Sequence, residues 1–225
     1  MVSREPNAIM MNFEYGLLYD KKMFAKVAEE IVSKYRVKKV CEYPSNDLMG
    51  NNSDVFQALG CYVRRYSSYP KTISERFDLV WNFCEFERSL NPAELIEEML
   101  HLTDRYVLIV VQNKCNIGVQ LHRLYHKLMG TLWDHGKLKY MSSHEVWRLL
   151  SKFAVKMVDA NVFDVPWFIL DFYEGGAPLR KLVPKMFRPK DYNVIRESVL
   201  EKSLPALLKY ALAHHHYLLA EKIEI

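Results

Sequence analysis

The chain has 225 residues, half of them hydrophobic and 26% charged, with a formal net charge of +4. That length suits one compact domain with a sizeable core, and the composition excludes disorder, collagen and low-complexity repeats. Only eight residues are glycine and no two lie two positions apart, which excludes an intact G-x-G-x-x-G or phosphate-binding P-loop.

The elements follow in chain order. Phe24, Val27, Ala28, Ile31, Val32 and Tyr35 recur at helical spacing and predict a helix over Lys21 to Arg36. Val37 to Tyr43 reads as a short strand ended by Pro44. A polar loop from Ser45 to Ser53 leads to a short helix over Asp54 to Leu59, stopped by Gly60. Cys61 to Tyr66 and Phe77 to Phe83 are the next strands. Asn91 is a good N-cap and Pro92 suits the first turn of the helix that follows. That helix delivers the chain to Tyr106–Val111, a continuous apolar run of the kind buried on both faces of a parallel sheet.

Helices over Ile117 to Met129 and Ser143 to Phe153 come next, the second opening on a capping-box pattern with Ser142 as cap, and Val155 to Ala160 is a further strand. From Asn161 to Leu212 five prolines, the Gly175-Gly176 pair and an aromatic run break the rhythm. This segment reads as an insertion over the sheet, with helix around Tyr192 to Glu201. His214 to Ile223 fits either a continued helix or a final strand. Strand–helix alternation from 21 to 160 argues for an α/β sheet, whose ligands bind outside the carboxyl ends of the strands.

Bulk features set mild limits. The longest uninterrupted apolar run, Tyr106 to Val111, is far too short to span a membrane, and the charged Met1–Pro6 precedes no signal-type stretch. Cys41, Cys61, Cys84 and Cys115 form no C-x-x-C, a pattern of reduced thiols, and a cytoplasmic location is expected. Acidic and basic residues alternate without a long basic stripe, so nucleic-acid binding is not indicated.

This order of elements resembles the class I S-adenosylmethionine-dependent methyltransferases. V-K-K-V-C-E-Y is similar to their first strand, F-D-L-V-W-N-F-C-E-F-E to the fourth and Y-V-L-I-V-V-Q-N to the fifth. V-K-M-V-D-A-N then corresponds to the sixth and H-H-H-Y-L-L-A-E-K to the antiparallel seventh. N-K-C-N-I-G-V-Q-L-H-R-L-Y-H-K-L-M-G resembles the segment after the fifth strand in a group of archaeal and bacterial members. The implied fold is a Rossmann-like sheet with helices on both faces, all in one domain over 1–225, with residues 161–212 as a substrate cap. Two departures stand out. The glycine turn after the first strand is replaced by Tyr43-Pro44-Ser45-Asn46-Asp47-Leu48-Met49-Gly50. Only ten residues separate Tyr66 from Phe77, too few for the usual helix, strand and helix, so the third strand is missing.

The resemblance implies S-adenosyl-L-methionine as methyl donor, S-adenosyl-L-homocysteine as product, and a small-molecule or lipid-like acceptor, with room for a homo-oligomer. A binding or assembly protein that has lost the cofactor is the alternative, and an RNA methyltransferase a more distant one. Carried onto the strand ends, the implied cofactor-binding residues are Glu42, Tyr43, Pro44, Ser45, Asp47, Tyr66, Ser67, Asn82, Phe83 and Cys84. Each has a plainer role: Glu42 as a polar strand terminus, Tyr43 to Asp47 as an ordinary turn, Phe83 as core. His122 and His126, four apart on one helical face, and His135 are candidate catalytic groups. The plainer reading makes the first two polar flanks of a Leu121/Leu124/Tyr125/Leu128 stripe. Without an H-E-x-x-H glutamate, no metal site is expected.

Overall fold

A computed structural model describes residues 23–45, 53–163 and 204–223. The described residues fall into two units. One holds the sheet, over 24–114, 134–163 and 215–223; the other comprises residue 23 with 115–133 and 204–214.

In the sheet unit, helix α1 covers residues 23–35. It is followed by β1 (Lys39–Glu42), α2 (Asp54–Ala58), β2 (Tyr62–Arg65), β3 (Phe77–Phe83), α3 (Pro92–Leu102), β4 (Thr103–Gln112), α5 (Ser143–Leu150), β5 (Val155–Phe163) and β6 (His215–Lys222). The strands order as β2-β1-β3-β4-β6-β5. β1 pairs in parallel with β2 and β3, and β3 with β4, whereas β6 runs antiparallel between β4 and β5. This is the expected Rossmann-like arrangement, and β2 is an edge strand with no strand between it and β3 in the chain.

Both faces of the sheet are buried, which is why β3 and β4 read as apolar runs rather than alternating ones. On one face Trp81, fully buried, stacks on Phe24 of α1 at 4.8 Å and meets Phe56 of α2 edge-on at 5.2 Å. Phe83 continues that face toward Phe163 and His215. On the other, Ile96, Met99 and Leu102 of α3 and Val146 and Leu150 of α5 pack with Val80, Val107 and Ile109. Thr103 ties β3 to β4: its hydroxyl lies 3.0 Å from the carbonyl oxygen of Phe77 and accepts the Tyr106 N–H at 3.1 Å.

The helix starts illustrate what a sequence pattern leaves open. Asn91 caps α3 as its position suggests, accepting from the Glu94 N–H. Ser142 makes no side-chain cap bond; only its carbonyl oxygen accepts, from the Val146 N–H at 3.1 Å. The capping box expected there is therefore not formed. α5 also ends at Leu150, short of Phe153, and β4 begins at Thr103, three residues before its apolar run. The segment from His214 resolves as a strand, since His215 to Ala220 are all buried between β4 and β5.

The second unit contains α4 (Ile117–Met129) and α6 (Ala206–Leu212). Asn116 serves both. Its side-chain oxygen accepts from the Val119 N–H at 3.1 Å, and its amide nitrogen donates to the Leu212 carbonyl oxygen at 2.7 Å. Gly130 ends α4 with φ of 65°, a left-handed position that suits glycine. Leu124 and Leu128 are 49% and 75% exposed, so the expected Leu121/Leu124/Tyr125/Leu128 stripe is not a buried one. The expected insertion falls largely on 164–203, as does the helix around 192–201, outside the described residues.

Two outcomes follow for stability. Trp81→Ala removes a fully buried indole and its stack on Phe24, and is expected to lower unfolding free energy by about 3–5 kcal/mol in denaturant titration. Burial in β6 holds the His216 imidazole down at about 4. The unfolded chain therefore takes up this proton first as pH falls below about 6.5, and stability is lost between there and pH 4. His216→Gln should flatten that limb of the stability–pH curve.

Candidate functional site

The topology singles out one place. β1 leads outward to β2, while β3 leads the other way to β4, so the switch point of the parallel part lies between β1 and β3. A cavity of about 440 Å³ opens there. Tyr43 and Pro44, just past β1, form one wall. Glu85, Arg88, Ser89, Leu90 and Asn91, from the loop after β3, form another, and Glu94, Leu95 and Glu98 of α3 complete it.

The lining is acidic, with three carboxylates against one guanidinium. Each carboxylate is held. Glu85 lies 3.5 Å from Arg88, Glu94 accepts from the Asn91 amide at 3.0 Å, and Glu98 accepts from the Tyr43 hydroxyl at 2.6 Å. Burial, with the Glu98 carboxylate beside it, raises the Tyr43 phenol well above its ordinary value, so it stays a neutral donor. The volume lies within the usual range of small-ligand sites.

Of the residues the sequence points to, Tyr43 and Pro44 line this cavity. Glu42 is buried at the end of β1, where its carboxylate accepts from the Ser53 hydroxyl and from Arg65 Nε at 3.0 Å. Parallel pairing sets Arg65 of β2 directly opposite Glu42. The pairing runs on past the strand ends, with Ser45 N–H donating to the Tyr66 carbonyl oxygen and Tyr66 N–H to that of Glu42. Tyr66 is a half-buried neighbour of the α3-side core, and Ser67 follows it on the exposed side. Asn82 is fully buried with its amide on Met99, Phe83 packs in the aromatic core, and Cys84 is buried with φ of 57°. Asp47 lies outside the described residues. Burial pushes the Cys41 thiol up to about 12, and none of the four cysteines forms a disulfide.

The histidines divide between the units. His122 and His126 face one another on α4 with Nε2 atoms 3.0 Å apart. His135 belongs to the sheet unit, where its Nε2 lies 3.3 Å from Asp134.

Sequence reasoning missed four residues. Arg65 carries no signal of its own until the register of β2 is known. Glu94, in the first turn of α3, and Glu98, one turn further on, look like ordinary helix charges. Glu87, just after β3, is fully buried and accepts from the Gln112 N–H at 3.0 Å. Gly136 is pressed onto it: a Cβ there would sit 2.8 Å from Glu87 Cγ, and φ of 100° also favours glycine.

Burial raises the Glu87 carboxyl to about 7. Between its ordinary range and that value the folded chain holds a proton the unfolded chain has lost, so stability falls as pH rises from about 4.5 to 7. Glu87→Gln is expected to remove this slope, measured as melting temperature against pH. Arg65→Met leaves Glu42 buried without its cation and should cost about 1.5–3 kcal/mol in unfolding free energy. The double variant Glu42→Gln/Arg65→Met should recover most of that loss.

No protein-family model matches the chain, and neither does any curated protein. Among solved structures, the chain is similar to magnesium protoporphyrin IX methyltransferase from Synechocystis PCC 6803, a structure with bound S-adenosylhomocysteine. The TM-score is 0.54 at 8% identity, over 99% of this chain and 90% of that one. It is also similar to an S-adenosylmethionine-dependent methyltransferase from Thermotoga maritima, with a TM-score of 0.50 at 12% identity over 95% and 96% of the two chains. With the strand order β2-β1-β3-β4-β6-β5 and its single antiparallel strand β6 within that sheet, the chain has the fold of the class I S-adenosylmethionine-dependent methyltransferases, shortened at the β2 edge.

Proposed function

We propose that the protein is an S-adenosylmethionine-dependent methyltransferase acting on a small-molecule or lipid-like acceptor. The observation that carries this reading is the acidic cavity at the switch point between β1 and β3. S-adenosylmethionine supplies a methyl group on a positively charged sulfur and leaves as S-adenosylhomocysteine. A cavity with a surplus of carboxylates suits such a cation, and Tyr43, Pro44 and Leu95 offer apolar surface for the remainder of the molecule. The residues present therefore fit the cofactor.

Glu85 and Glu94 would attract the cationic end. The neutral Tyr43 hydroxyl, fixed by Glu98, would orient what lies beside it. Glu42 would act at one remove, since its carboxylate is engaged by Arg65 and Ser53 and so fixes the end of β1 from which Tyr43 and Pro44 project. No acidic residue ends β2; Arg65, Tyr66 and Ser67 stand there, so a ribose would be met by other groups. Transfer from a sulfonium chiefly demands alignment and exclusion of water, so this chemistry does not require an acid–base triad in the lining. The cytoplasm, where reduced thiols persist, suits four cysteines outside any disulfide.

Calorimetry and thermal shift with S-adenosylmethionine and S-adenosylhomocysteine test this. Binding with a raised melting temperature is expected, because a ligand specific to the native state stabilises by mass action. Glu85→Gln/Glu94→Gln should weaken S-adenosylmethionine more than tenfold, through loss of charge attraction. No binding at millimolar ligand overturns the enzyme reading in favour of a binding or assembly role.

A further inference from the structure

We propose that His122 and His126 of α4 form a binding site for a borderline divalent transition-metal ion of the zinc, nickel and copper class. This goes against the sequence expectation of no metal and is independent of the cavity at the strand ends. Four residues apart, the two imidazoles stack at 4.8 Å with their planes 18° from parallel, and their Nε2 atoms converge to 3.0 Å. Two nitrogens each about 2.0–2.1 Å from one ion stand about 2.9–3.4 Å apart across octahedral to tetrahedral angles. The pair is thus already spaced for chelation, on a helix that fixes its spacing before any ion arrives.

The residues after α4 orient the pair. The Thr131 hydroxyl lies 2.9 Å from His126 Nδ1 and 3.4 Å from the His126 carbonyl oxygen. In the tautomer with the proton on His126 Nδ1, that N–H donates to Thr131 and the Nε2 lone pair is left to ligate. A ligating histidine commonly donates its second ring N–H in this way, which fixes the tautomer and raises the basicity of the ligating nitrogen. With that tautomer and no ion bound, the donor across the 3.0 Å contact is His122 Nε2–H. When an ion binds, that proton moves through solvent to His122 Nδ1 and both Nε2 lone pairs coordinate. The turn that brings Thr131 back exists because Gly130 takes the left-handed conformation and lets Thr131 N–H reach the His126 carbonyl oxygen at 3.0 Å. Trp133 stands edge-on to both rings, at 6.1 and 5.6 Å, and walls the pair on one side. Two imidazoles without a carboxylate between them favour zinc, nickel or copper over magnesium or calcium, which prefer oxygen ligands.

The test is isothermal titration of the untagged full chain with zinc chloride at pH 7.5, in a Cys115→Ser background that removes the exposed thiol. One ion per chain is expected, with no heat from magnesium chloride. His122→Gln and His126→Gln should each weaken zinc at least tenfold. Thr131→Val, which keeps both ligands, should weaken it about tenfold through lost orientation. Affinity should fall as the medium is acidified, because a ligating imidazole must be unprotonated. Copper should produce an imidazole-type absorption band in the parent protein and not in the double-histidine variant. Absence of zinc heat in the parent protein, or zinc binding unchanged in His122→Gln/His126→Gln, overturns the proposal. Circular dichroism confirms that each variant keeps its helix.

Discussion

The geometry of the strand ends depends on β3 being hydrogen-bonded to β1 on one side and to β4 on the other. Because the chain leaves β1 and β3 in opposite directions, no connecting segment among the described residues crosses the gap between their carboxyl ends. The loop after β3 instead turns back through a 3-10 turn at Phe86–Arg88 and starts α3 at its Asn91 cap. That path determines which side chains face the gap. Had α3 begun a turn later, Glu94 and Glu98 would not stand beside Tyr43. The apolar seam of Ile96 and Met99 against Val80 and Val107 holds the helix in this register.

Charge is distributed unevenly about that edge. At the end of β2 the basic Arg65 neutralises the acid that ends β1. On the α3 side carboxylates outnumber cations. A carboxylate enclosed at the end of a strand is costly unless it is paired and hydrogen-bonded, and Glu42 is both. Glu87, a few residues beyond β3, meets the same cost differently. With an amide N–H as its donor and a guanidinium only nearby, burial prevails and its proton stays on to a much higher pH.

Much of this was legible in the sequence, and the remainder failed for identifiable reasons. Apolar runs at β3 and β4 announced strands buried on both faces, and the ten-residue gap between Tyr66 and Phe77 announced a sheet one strand short. Tyr43 and Pro44 could be placed at the cavity because they follow a buried strand. Arg65 was not, because its pairing with Glu42 comes from the register between two strands far apart in the chain. Glu94 and Glu98 were hidden by a second role they also satisfy, acidic residues in the amino-terminal half of a helix. Phe83 and Asn82 show the converse: position at a strand end suggested the site, whereas alternation along β3 directs one into the aromatic core and the other against Met99. His215 to Ala220 defeated periodicity because a strand buried on both faces has none.

The shortened sheet has a consequence for solubility. With no further strand beyond it among the described residues, β2 ends the sheet with a lengthwise row of backbone groups of the kind on which another strand can dock. The four residues of that edge are Tyr62-Val63-Arg64-Arg65, and Glu75 binds the tyrosine hydroxyl at 3.3 Å and Arg64 at 2.8 Å. Brevity, two guanidiniums and a carboxylate clamp together make a poor template for an incoming chain. Arg64, held by Glu75, thus sets the exposed charge along that border, while Arg65 beside it turns inward to Glu42.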